Sequence, residues 1–103
     1  MAESRTNRNC LHLVVRCSGE ALERCREMIA KGDRILFLDD GVMHLAGESG
    51  STVVSGFTDC SFSVEDLEAR GLLELARTTG VSIVGDADFP DLLRKHSFCL
   101  TWK

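Results

Sequence analysis

The sequence predicts an α/β domain: a single, mostly parallel sheet of four or five strands with helices on both faces. Strand-like and helix-like stretches alternate along the chain, the pattern of repeated βαβ units. The run RILFL sets four apolar residues side by side, as in a parallel strand buried on both faces. The 103 residues suit one core; at this length a fold buries about 65% of the surface of its unfolded chain and needs no metal or disulfide staple.

Residues 1–9, MAESRTNRN, are polar and read as a flexible segment ahead of the domain at 10–103. LHLVVR (residues 11–16) reads as the first strand. EALERCREMIA (residues 20–30) follows as a helix, with Leu22, Cys25, Met28 and Ile29 at helical spacing, Ser18 as its cap and Gly32 as its stop. RILFLDD (residues 34–40) is the second strand and the expected centre of the sheet. Residues 41–45 begin a short helix, and residues 47–56, rich in Gly and Ser, form a mobile loop.

DCSFSV sets Cys60, Phe62 and Val64 against serines and reads as a half-buried strand. Ser63 then caps EDLEARGLLELART, a helix that Gly71 interrupts. VSIVG (residues 81–85) is the fourth strand. ADFPDLLRKH is a helix that tolerates Pro90 in its first turn, and CLTW (residues 99–102) is the last strand. Ligands of such sheets gather at the carboxyl ends of the strands, here residues 16–20, 39–42, 64–66 and 85–88.

A net charge of −4 argues against a direct grip on a phosphate backbone. No run approaches the roughly 20 apolar residues of a membrane span, and the polar start is no signal peptide. The expectation is a cytoplasmic protein with reduced thiols. Cys10, Cys17, Cys25, Cys60 and Cys99 are separated by 6, 7, 34 and 38 residues, which is not zinc-finger spacing.

The helical wheel puts Cys25 on the apolar face with Leu22, Met28 and Ile29, where a cysteine packs as a small hydrophobe. Cys17 sits just before a helix start, where backbone N–H groups and Arg16 favour a thiolate. The six residues between Cys17 and Arg24 make one more than a phosphatase loop holds. Asp39 and Asp40 read as turn and cap residues ahead of Gly41. His12, His44 and His96 read as structural or solvent-facing, Cys60 and Cys99 as core, and Trp102 as a docked residue.

Several stretches together carry a resemblance: LHLVVR, GDRILFLDDGV (residues 32–42), DLEARGL (residues 66–72), DADFPDLL (residues 86–93) and a tryptophan near the end. In this order they resemble the DsrH/TusB family of sulfur-relay proteins over nearly the whole chain after residue 10. The resemblance implies a DsrE/DsrF/DsrH-like fold and assembly with DsrE/TusD-like and DsrF/TusC-like subunits. It further implies transfer of persulfide sulfur to a TusE/DsrC-like acceptor, for 2-thiolation of a tRNA wobble uridine or for dissimilatory sulfur metabolism.

In the DsrH-type slot of the first helix stands Cys25, which the resemblance makes the candidate persulfide acceptor, with Cys17 the weaker candidate. Such a chain is a sulfur-carrier or accessory subunit rather than a stand-alone enzyme. It needs no cofactor or metal and touches neither nucleic acid nor membrane directly. Isolated from its partners, it self-associates or exposes an apolar patch, with Trp102 and residues 41–45, where Val42, Met43 and Leu45 are apolar, as the candidate contact surfaces. The other reading is a purely structural subunit in which Cys25 only packs.

Overall fold

A computed structural model describes residues 9–47, 57 and 59–103. The flexible segment expected at residues 1–9 lies outside these save for Asn9, as does nearly all of the loop at 47–56.

The elements follow the predicted order. Strand β1 is Cys10–Val14, helix α1 Gly19–Met28, β2 Arg34–Phe37, a 3₁₀ segment Asp39–Leu45 and β3 Cys60–Ser63. After these come α2 Val64–Ala69, α3 Leu73–Thr79, β4 Ser82–Val84, a 3₁₀ turn Asp86–Asp88, α4 Phe89–Arg94 and β5 Phe98–Trp102. All pairings are parallel, in the order β4-β3-β2-β1-β5. Strand β2 is therefore central, as its apolar run predicts, and Ile35 and Phe37 are fully buried.

Local signals end the elements where expected. The Ser18 hydroxyl accepts the Ala21 N–H at 3.2 Å and starts α1. The Ser63 hydroxyl accepts the Asp66 N–H at 3.4 Å and starts α2. Gly71 takes φ +70°, which splits the predicted long helix into α2 and α3. Gly41 answers to space: a Cβ there would lie 1.9 Å from the carbonyl oxygen of Val14. The 3₁₀ segment can lie on the end of β1 only because residue 41 has no side chain.

The first face of the sheet carries the larger core. Val14, Cys25, Ile35, Phe37, Val42, Phe62, Leu67 and Ala76 join there, with the Phe37 and Phe62 rings stacked 4.6 Å apart. The second face is thinner: Leu11, Leu36 and Val84 pack against Leu92 of α4. Helices thus lie on both faces, unequally.

Four local expectations are corrected. Ser61 and Ser63 are buried, not solvent-facing. Arg34 Nη2 donates to Ser61 Oγ at 2.8 Å and Ser61 Oγ to Ser82 Oγ at 3.0 Å, so a polar row crosses the second face without unpaired hydroxyls. Cys99 is exposed, not core, because β5 is an edge strand. Asp39 and Asp40 cap nothing with their side chains; both pair with Arg70 Nη2, at 2.8 and 2.9 Å, which ties the end of β2 to α2. Val42 and Leu45 face the core, which leaves Met43 as the exposed apolar residue of that segment.

Candidate functional site

Helix α1 runs back across the sheet, antiparallel to β1, from the carboxyl edge to the amino edge. Its start and its interior therefore hold two thiols in different settings. Cys17, between β1 and the Ser18 cap, is exposed at the carboxyl edge. It lines a groove with Arg16, Ser18, Asp40 and Met43. Here β1 has β2 on one side and β5 on the other, so the chain reverses its direction of winding. Open α/β sheets take ligands at such a crevice. His44 Nε2 donates to the Arg16 carbonyl at 3.1 Å and holds the segment before Cys17 in place. Burial keeps His44 neutral by lowering its pKa, against that hydrogen bond.

Cys25 lies about 9 Å of helix beyond Gly19 and is 0% exposed. Leu22 and Ile29 belong to the same cluster. Burial, reinforced by Cys10 and Asp33 and opposed by Arg26, pushes its thiol up to about 12. At pH 7 such a thiol is thiolate in about one molecule in 10⁵. The fold does not bring Cys17 and Cys25 together, so they do not form a dithiol pair. Cys10 is also buried and its thiol is raised, first by burial and then by Asp33. Burial likewise raises Cys60 and Cys99.

The feature that sequence reading missed is Asp33, in the turn before β2. Its Oδ1 accepts the Cys10 N–H at 2.9 Å and its Oδ2 accepts the Ala30 N–H at 3.0 Å. Its Oδ2 also lies 2.9 Å from His12 Nε2. His12 Nδ1 in turn accepts the Trp102 indole N–H at 3.0 Å. The indole can only donate, so the ring proton of neutral His12 sits on Nε2 and is given to Asp33. Burial raises the Asp33 pKa, but the bonds from Cys10, His12 and Ala30 outweigh it and hold the carboxyl below its usual value. The available signal was a carboxylate one residue ahead of the apolar run at 35–38, since a charge buried there has to be paired.

Cys10, His12 and Asp33 also place three potential metal-ligand atoms within 4.8 Å of one another. The hydrogen-bond polarity does not fit a metal. A histidine that ligates through Nε2 carries its proton on Nδ1, and Nδ1 here faces the N–H of Trp102. The group is a closed hydrogen-bond line that joins β1, the end of α1 and β5.

Fold and site together define a small, all-parallel α/β domain with one thiol open at the carboxyl edge and another sealed beneath its first helix. A family model described as DsrH like protein matches residues 17–98. The chain is 36% identical over 80 residues to Protein TusB of Photorhabdus laumondii subsp. laumondii, which covers 74% of this chain and 81% of that protein. It is 31% identical over 85 residues to Protein TusB of an Enterobacter species, strain 638, covering 79% and 86%. The chain belongs to the DsrH family, as its sequence motifs indicate. Among the described residues no helix is long and apolar enough to cross a membrane.

Proposed function

We propose that this chain is a sulfur-relay subunit that works within a DsrE/DsrF/DsrH-like or TusB/TusC/TusD-like assembly in the cytoplasm. Family membership carries the reading, and the site supplies its chemistry. In persulfide exchange a cysteine thiolate attacks the outer sulfur of a donor persulfide. A new S–S bond forms, the old one breaks, the donor leaves as a thiolate, and the acceptor's proton goes to solvent. The step needs an accessible thiol and a docked donor, but no metal or organic cofactor.

Cys25 is the proposed acceptor, held in reserve: a persulfide at this depth is shielded from bulk reductant between transfers. Its partners are DsrE/TusD-like and DsrF/TusC-like subunits, and a TusE/DsrC-like protein takes the sulfur onward to tRNA wobble uridine 2-thiolation or to dissimilatory sulfur metabolism. Cys17, exposed at the switch-point crevice, is the competing acceptor. One observation favours a second reading, the complete burial of Cys25. On that reading the chain is a structural subunit and Cys25 only packs.

Incubation with a persulfidated DsrE- or TusD-like partner separates these readings, with the 32 Da gain of one sulfur atom read by mass spectrometry. We expect wild type and Cys17→Ser to load and Cys25→Ala to bind the partner without loading. Loading of Cys25→Ala at the wild-type level overturns the role of Cys25. Loss of loading in Cys17→Ser alone moves the role to Cys17.

A further inference from the structure

We propose that the line Trp102–His12–Asp33 is a clasp governing access to Cys25, and that it opens by release of the end of β5 while the rest of the sheet stays folded. The proposal takes its purpose from the reading of Cys25 as a working thiol.

Three elements meet in the clasp. Through Ala30 N–H, Asp33 holds the chain that leaves α1; through Cys10 N–H it holds the start of β1. Through His12 it reaches Trp102, the last residue of β5, 90 positions away in sequence. The Trp102 indole packs against the cluster that contains Cys25, on the face covered by α1. It is aligned with the His12 ring at 16°, with centroids 6.0 Å apart.

Other routes from Cys25 to solvent are costly. Leu22 and Ile29 flank it along α1, and Val14, Ile35 and Phe37 lie on the strands beneath. Exposure through these means lifting the helix from the main core. On the β5 side the barrier is an edge strand of which Phe98, Cys99, Leu100 and Thr101 are all exposed and only Trp102 is half-buried. Segments with few buried contacts open first. Beside the backbone ladder to β1, which the Val15 N–H closes on the Trp102 carbonyl at 3.2 Å, the hydrogen bond from the indole to a fully engaged His12 is the side-chain contact that keeps this edge shut. The bond is specific in chemistry: any state of His12 with a proton on Nδ1 sets two N–H groups against each other and cannot hold Trp102.

The test is alkylation with N-ethylmaleimide, with adducts at each cysteine quantified by peptide mass spectrometry. Far-UV circular dichroism in urea gives the slope of global unfolding for the same protein. Trp102→Phe keeps a ring but has no N–H to give. We expect it to speed alkylation of Cys25 roughly tenfold, the factor that about 1.4 kcal/mol from one lost hydrogen bond produces. In wild type and in Trp102→Phe, alkylation of Cys25 should be nearly independent of low urea, whereas global unfolding rises with it. An unchanged Cys25 rate in Trp102→Phe overturns the clasp. So does a Cys25 rate whose urea slope equals that of global unfolding. Alkylation measures access alone and sulfur loading measures transfer, so the clasp and the relay role fail separately.

Discussion

At the scale of single residues, Asp33 holds more partners than any other side chain of the site. Asp33→Ala strands two backbone N–H groups and the Nε2–H of His12 in a buried place. The expected loss is about 2–4 kcal/mol by urea denaturation. The carboxyl is lowered in the folded state, so its contribution is complete above the unfolded value of about 3.9 and is lost as pH falls through the folded one. Asp33→Asn should flatten the melting temperature below about pH 4. His44 acts in a higher window. Its folded pKa is lowered, so stability is full above the unfolded value of about 6.5 and declines as pH falls below it. His44→Gln should remove that decline; an unchanged slope between pH 7 and 5 would assign it to another group.

At the scale of elements, the end of β1 and the start of the 3₁₀ segment form one joint. Leu38 N–H donates to the Val14 carbonyl at 3.1 Å, and Gly41 presses on the same oxygen. Gly41→Ala should cost about 3 kcal/mol or more, because the obstacle is backbone and the 3₁₀ segment has to move. The displaced groove residues Asp40 and Met43 should make Cys17 react at an altered rate, which thiol titration reads directly. The opposite case is Gly71, where a Cβ meets nothing but φ is positive. Gly71→Ala should cost only about 1 kcal/mol, the strain of a left-handed residue. Equal effects at the two sites would mean that packing does not set the joint.

At the scale of the whole molecule, the unequal faces and the open edge matter most. Strand β5 ends the sheet with an exposed, apolar sequence, and Leu100 is 42% exposed. Such an edge is a template for pairing with another strand. The isolated chain is expected to self-associate through it, and Leu100→Lys should shift the sedimentation profile towards monomer. A wild-type profile that is monomeric at all concentrations would remove this edge as a contact surface.

What the sequence determined by itself was whatever rests on neighbours in the chain. Alternating periodicities placed all five strands and the helices, the apolar run chose β2 as the centre, and Ser18, Ser63 and Gly71 marked starts and a break. Family motifs are likewise strings of neighbours, and they named the family correctly. The tertiary structure alone decided what depends on distant partners. The helical wheel put Cys25 on an apolar face, but only packing against β1 sealed it and raised its thiol to about 12. Alternation made Ser61 a surface residue until Arg34, 27 positions away, paired with it on a buried face. Periodicity cannot tell an edge strand from an inner one, so Cys99 read as core. Trp102, His12 and Asp33 met because β5 crossed back beside β1, and a side chain's partner across the fold leaves no trace in the local pattern around it.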